Sequence, residues 1–233
     1  MTGDLFAPGS FFAALRGAAA ADWQAYSRHA FLSQLADGSL PEAAFRYYLI
    51  QDYIFLINFA RAYALGVYKA QTLSEMRHCQ ASVNALLETE LSLHIAYCRD
   101  WGLEEAQVLA SAEDPGNLAY TRYVLDRGLA GDFLDLMVAL APCVVGYAEI
   151  GHRLHADPAS KRDGNPYWRW IETYGGEDYR ALGRGAVALL QEAAERRLGR
   201  DPVASPRFAQ LAAVFVQATR LEADFWQMGL DRG

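Results

Sequence analysis

Three reactive side chains interrupt stripes that are otherwise apolar. At alternating steps of three and four, Phe45, Tyr48, Asp52, Phe55, Phe59 and Ala62 share one face of a helix. Leu136, Leu140, Cys143, Tyr147, Ile150 and Leu154 repeat the pattern with a thiol and a phenol as the interruptions. Phe208, Leu211, Phe215, Ala218, Glu222, Phe225 and Gly229 repeat it again, with Glu222 the only ionisable member. A thiolate is a nucleophile, and carboxyl groups give and take protons, so a cavity beside these stripes would be equipped for covalent and acid–base chemistry. Burying an unpaired carboxylate costs on the order of several kcal/mol. Asp52 and Glu222 must therefore be bonded to an arginine or a helix end, be protonated, or face such a cavity. Cys143 taken alone reads more readily as a small buried hydrophobe than as a nucleophile, although Pro142 beside it removes a backbone hydrogen bond and favours a kink at the thiol. Tyr120 and Tyr174 belong to two further helices, and Tyr174 directly precedes Gly175-Gly176, where the chain must turn. Spacing assigns neither tyrosine a role, and Trp168 and Trp170 read as packing.

Helices are what must position these groups. Apolar residues recur at three and four throughout, and the alternation that marks a half-buried strand is missing. The pattern predicts helices near 10–36, 41–70, 74–101, 104–111, 115–130, 132–156, 166–174, 177–198 and 205–230. Ser10, Ser74 and Ser205 suit N-caps, Pro41 and Pro206 suit first-turn positions, and Gly38, Gly102 and Gly131 sit where helices should stop. Helix 41–70 has too few polar positions for a solvated face and should lie at the centre of a bundle.

Bulk properties narrow the function classes. The 233 residues are 52% hydrophobic, enough for a substantial core and best read as one domain spanning 1–233. A formal charge of −7 and a pI near 5.2 argue against a nucleic-acid or anionic-membrane partner. Charge-free stretches such as 136–148 fall short of the ~20 residues that a bilayer-crossing helix needs. Asp4, with no basic cluster ahead of the first apolar residues, argues against a secretory signal. Cys79, Cys98 and Cys143 are odd in number and have no C-x-x-C spacing, which fits a reducing cytoplasm better than a disulfide framework or a zinc site.

A metal centre is the main rival reading of the polar residues. Glu75-x-x-His78 and Glu149-x-x-His152 have the spacing used by helical di-iron proteins, and Glu90 with His94 forms a further pair at i and i+4. Against it, Glu149 and His152 lie about 240° and 180° around the helix from Cys143, which predicts surface positions. The balance favours no metal.

Taken together the chain resembles the TenA family of thiaminase II proteins. The resemblance is carried by Phe45-x-x-Tyr48-x-x-Gln51-Asp52-Tyr53-x-Phe55-Leu56-x-x-Phe59-Ala60-Arg61 and Glu90-x-x-x-His94. It continues through Pro142-Cys143-x-x-x-Tyr147-x-Glu149-x-Gly151, Trp170-Ile171-x-Thr173-Tyr174-Gly175-Gly176 and Glu222-x-x-Phe225-Trp226. It implies an all-α, haem-oxygenase-like helical bundle without haem, a homotetramer, one enclosed pyrimidine pocket per subunit, and no metal or organic cofactor. It also implies that Cys143 is the nucleophile, Glu222 the acid/base and Asp52 the carboxylate that holds the pyrimidine. Tyr120, Tyr147 and Tyr174 match pocket tyrosines, and Phe55 and Phe225 match aromatic positions around the ring. Cys143 places the chain with the cysteine-containing branch. The run Cys143-Val144-Val145-Gly146-Tyr147-Ala148 departs from members with bulkier aromatics, and Phe55 stands where some relatives have tyrosine, so pocket volume and ring contacts are expected to differ.

The implied reaction is hydrolysis of 4-amino-5-aminomethyl-2-methylpyrimidine to the hydroxymethyl compound and ammonia, a thiamin salvage step, with thiamin itself a further substrate of the same chemistry. Two other classes stay in view. One is a di-iron oxidase on a similar helical fold, motivated by the two E-x-x-H matches. The other is a non-catalytic regulatory protein that binds the pyrimidine without turnover.

Overall fold

Sequence periodicity alone predicts nine helices, and the computed structural model, which describes residues 6–232, is helical throughout with no strand among them. Asp4 lies outside the described residues. The predicted helix 10–36 is three shorter ones, α1 (Phe11–Ala18), α2 (Ala20–Ser27) and α3 (Ala30–Asp37). Ala19 and Arg28 leave helical geometry at φ −102° and −120°, and the His29 side chain then caps α3 by accepting from Phe31 N. A capped restart costs little and lets each short helix turn its own apolar face inward. Ser10 caps α1 as expected, accepting from Ala13 N, and Gly38 ends α3 at φ 79°.

α4 (Glu42–Lys69) follows Pro41, which stands just ahead of the first turn rather than within it. α5 (Leu73–Asn84) begins one turn-residue early. Its N-cap is Thr72, accepting from Glu75 N, instead of Ser74, because a threonine in extended geometry is already placed to receive that donor. The predicted helix 74–101 contains a wide π-helical turn at Ala85–Glu90, after which α6 (Leu91–Asp100) resumes. α7 (Glu105–Leu109), α8 (Pro115–Ala130), α9 (Phe133–Ala156), α10 (Trp168–Gly175) and α11 (Glu177–Leu198) follow the expected boundaries closely. A short 3-10 turn at Pro202–Ala204 leads to α12 (Phe208–Leu230). Ser205 and Pro206 lie in the turn before α12, where Ser205 Oγ accepts from Arg207 N and its carbonyl from Phe208 N. α9 is long and apolar enough to cross a bilayer, but 89% of its apolar window is buried against protein.

Packing groups the chain into two units. The first comprises Met1–Leu40 and Met137–Trp226. Its core is aromatic: Trp23 stacks on Phe215 with centroids 5.7 Å apart, Phe12 meets both edge-on, and Phe31 stacks on Trp226 at 5.1 Å. Burying each such ring stabilises by roughly 1.5–3 kcal/mol. The buried Asn165 secures the loop before α10, its amide donating to the Leu35 and Ala36 carbonyls and its oxygen accepting from Tyr167 N.

The second unit comprises Pro41–Leu136 and Gln227–Gly233. α4 is its central helix, as its nearly unbroken apolar surface predicts, and α5, the π turn, α6, α7 and α8 all pack against it. Gln51, 1% exposed, ties α4 to the start of α8: its amide donates to Ala112 O while its oxygen accepts from Asp114 N and Asn117 Nδ2. A buried amide with all of these groups satisfied carries little desolvation penalty.

Candidate functional site

Every member of the Asp52 stripe is buried: Phe45, Tyr48, Asp52, Phe55, Phe59 and Ala62 are all 4% exposed or less. The Asp52 carboxylate is 3% exposed and is not bonded to an arginine. Its Oδ2 accepts from Tyr48 OH at 3.1 Å and meets His94 Nε2 at 2.7 Å. His94, itself 1% exposed, donates through Nδ1 to the Glu90 carbonyl at 2.8 Å, because a carbonyl can only accept. Burial works against a charged His94, but the hydrogen bond and charge of Asp52, joined by the Glu90 carbonyl, outweigh it and raise its pKa. The pair is therefore a buried carboxylate held against a buried imidazole by a short hydrogen bond. Beside it the Glu90 carboxyl group is pushed up to about 7, chiefly by burial and further by the Asp52 charge, with the His94 charge opposing.

One helical turn along α4, Phe55 stacks on Phe59 at 5.1 Å and meets the Tyr120 ring from α8 at 5.0 Å. The structure thus brings together Asp52, Phe55 and Tyr120 with two groups that sequence reasoning left without a role, Tyr48 and His94. Tyr48 was legible as a stripe member four residues before Asp52. His94 was visible only as the partner of Glu90 in a possible ligand pair, and nothing in its spacing connects it to Asp52, 42 positions earlier.

The first unit carries the other expected residues. Cys143, Tyr147, Tyr174, Glu222 and Phe225 are 8%, 4%, 2%, 2% and 3% exposed, so Cys143, Tyr147, Glu222 and Phe225 lie inward as their stripes predict, and Tyr174 is buried as well. α9 continues through Pro142 from Phe133 to Ala156. The Pro142 carbonyl, next to the thiol, accepts from Tyr26 OH at 3.4 Å. That approach depends on Gly146, where a Cβ would stand 2.3 Å from the Tyr26 ring. Gly151 works similarly one turn later, since a Cβ there would be 2.3 Å from the Tyr174 backbone. These two close approaches set Tyr147 edge-on against Tyr174 at 5.1 Å, with Trp170 4.6 Å from Tyr174 and Trp226 5.3 Å from Tyr147. Trp170 is packing for these tyrosines, as expected.

The glutamates of the two E-x-x-H motifs have other partners. Glu75 accepts from Gln71 N at 2.7 Å, closing the start of α5. Glu149 accepts from Arg16 Nη2 at 3.1 Å and from Trp23 Nε1 at 3.2 Å, so it is partly buried among α1 and α2 rather than a surface residue. Its turning away from Cys143 was legible; that two further helices cover that side of α9 was not. Among the described residues no group of three or more His, Cys, Asp or Glu side chains converges as a metal-ligand set.

Comparison with known proteins extends this picture. The TENA/THI-4/PQQC family model matches residues 18–232. The chain is 39% identical over 209 residues to an uncharacterized protein of Haemophilus influenzae, covering 90% of this chain and 94% of that one. It is 34% identical over 219 residues to an aminopyrimidine aminohydrolase of Halalkalibacterium halodurans, covering 94% and 95%. Among solved structures, a protein of Silicibacter sp. described as a TenA family transcription regulator matches with a TM-score of 0.91 and 49% identity over 95% of this chain and 97% of that one.

Proposed function

We propose that this chain, which belongs to the TENA/THI-4/PQQC family, is an aminopyrimidine aminohydrolase, a hydrolase that replaces the aminomethyl nitrogen of 4-amino-5-aminomethyl-2-methylpyrimidine with water. The observation that carries the reading is 34% identity to an aminopyrimidine aminohydrolase along nearly the whole of both chains. Buried Cys143, Glu222 and Asp52 support it, since the resemblance assigns them the nucleophile, the acid/base and the ring anchor.

The chemical difficulty is that an amine on a ring-attached methylene leaves poorly. In the proposed mechanism the Cys143 thiolate adds to a ring carbon, which breaks aromaticity. Glu222 protonates the amine, and the ring electrons expel it as ammonia, leaving an exocyclic methylene. Water adds to that methylene as Glu222 takes back a proton. The thiolate then departs and the ring is restored. Asp52 accepts a hydrogen bond from the pyrimidine throughout, and Phe55, Tyr120, Tyr147, Tyr174 and Phe225 are the aromatic contacts. Thiamin is a further substrate on the same chemistry, with its thiazole as the leaving group. A homotetramer and a cytoplasmic setting complete the reading, the first from the resemblance and the second from the cysteine pattern.

Ammonia release from a panel of aminomethylpyrimidines, with thiazole release from thiamin measured beside it, tests the activity. Rapid release from the aminomethyl compound is the expected result. The 49% identity to a structure described as a transcription regulator favours one competing reading, a pyrimidine-binding protein without catalysis. Tight binding of every pyrimidine with no product would establish that reading instead.

A further inference from the structure

His94 has no place in the chemistry above, yet it is one of the most deeply buried polar side chains of the second unit. How the chain delivers it there is instructive. Glu75, Cys79 and Leu86 are buried along the run of helix that leads to it. From Glu75 to His94 is nineteen residues, which at about 100° each is roughly 100° past five full turns. In an uninterrupted α-helix His94 would thus turn away from the face that packs on α4. The π turn at Ala85–Glu90, where Leu91 N–H bonds to Leu86 O, accommodates an extra residue and removes about that excess. The irregularity aims His94 at Asp52.

The hydrogen bonds define what His94 does there. Nδ1 must carry a proton, because its partner is the Glu90 carbonyl. Oδ2 of Asp52 accepts from Tyr48 as well as meeting Nε2, and an oxygen already accepting a phenol proton is a poor place to keep one of its own. Both of these contacts use Oδ2, so the second oxygen, Oδ1, is spared. We propose that His94 is a positioning residue for Asp52: as an imidazolium held by the Glu90 carbonyl, it fixes the carboxylate ionised and in one orientation, with Oδ1 reserved for an N–H donor of the ligand ring. This rests on the ring-anchoring role given to Asp52, and it extends that role by requiring an acceptor-only carboxylate and therefore a ligand edge that donates.

Two measurements test it, and they fail separately. The first needs no substrate. In protein with 15N-labelled histidine, the resonances missing from His94→Gln identify the ring, and at pH 7 both of its nitrogens are expected to be protonated in the wild type. In Asp52→Asn the ring should lose its second proton. A neutral His94 ring in the wild type, or a ring unaffected by Asp52→Asn, overturns the proposal. The second is calorimetric binding of 4-amino-5-hydroxymethyl-2-methylpyrimidine together with steady-state kinetics. Loss of a buried charged partner predicts roughly tenfold or weaker binding in His94→Leu, an intermediate loss in His94→Gln, and a rise in KM larger than the fall in kcat. The double variant His94→Leu/Asp52→Asn should bind no more weakly than Asp52→Asn alone. Fully additive losses, or wild-type KM in a folded His94→Gln, overturn it. Should the wild type neither bind nor turn over any aminopyrimidine, the proposed activity falls while the resonance measurement still decides the role of His94.

Discussion

His94 Nε2 stands 2.7 Å from Asp52 Oδ2, with both residues 3% exposed or less, so the central helix of the second unit pairs a buried carboxylate with a buried imidazole rather than with a surface cation. This answers the question posed by a carboxylate in an apolar stripe. Its partner is neither an arginine nor a helix end but the imidazole of His94, on the helix that follows a π turn. The stability and activity of the protein should both report on this cluster.

Folding stability should fall as pH rises through neutrality because of Glu90. Its pKa is raised from 4.5 to about 7, so the folded state keeps this proton to higher pH than the unfolded chain does. The associated stability is fully present below 4.5 and is lost as pH rises through about 7. His94, also raised, adds a loss of the same sign above its ordinary value of 6.5. Glu90→Gln stays neutral at every pH, and in urea titrations it should exceed the wild type by about 1–3 kcal/mol at pH 8 while matching it near pH 4. Parallel stability curves for the two proteins would contradict the burial assigned to this carboxyl group.

Asp52→Asn should weaken pyrimidine binding as well as turnover. It exchanges a charged acceptor for an amide of similar size and leaves His94 and Tyr48 facing a poorer acceptor. A loss of about tenfold or more in affinity is expected by calorimetry. Unchanged affinity would remove Asp52 from the binding site.

Cys143→Ser should fold and bind normally while losing most turnover, since the hydroxyl fits the space of the thiol but is a far weaker nucleophile at neutral pH. Mass spectrometry of the wild type during turnover offers a second view, through a transient adduct absent from the variant. Near-normal activity in Cys143→Ser would rule out covalent catalysis by this thiol.

Glu222→Gln keeps the shape of the side chain and can donate a hydrogen bond, but it can neither protonate the amine nor activate water. Turnover should drop steeply while affinity changes little, and one limb of the pH–rate profile should vanish. Retained turnover with an unchanged profile would make Glu222 a structural carboxylate.

Gly146→Ala tests the packing beside the thiol. Its Cβ would meet the Tyr26 ring at 2.3 Å, so ring or helix must shift, at a cost of about 1–3 kcal/mol. The melting temperature should fall by several degrees, roughly as that cost implies for a chain of this size, and activity should fall with it. A variant as stable as the wild type would show that Tyr26 has room to move.

What the residues determined by themselves is the helical class, the central place of α4 and the inward direction of Asp52, Cys143 and Glu222. These follow from a local rule, since side chains three and four apart share a helix face whatever surrounds them. The breaks at Ala19 and Arg28 are not marked in the pattern, since Gly17 falls inside the last turn of α1 rather than at its end and neither glycine nor proline stands at Arg28. The π turn is equally unmarked: Ala85–Glu90 contains neither glycine nor proline, and the wide turn is visible only in the structure, where Leu86 within it and His94 beyond it are both buried. Which partner a buried carboxylate takes is a question of contact across the fold, between positions 52 and 94, and periodicity carries no information at that distance. The same holds for Gly146 and Gly151, whose missing side chains matter only because Tyr26 and Tyr174 arrive from elsewhere in the chain to fill the space.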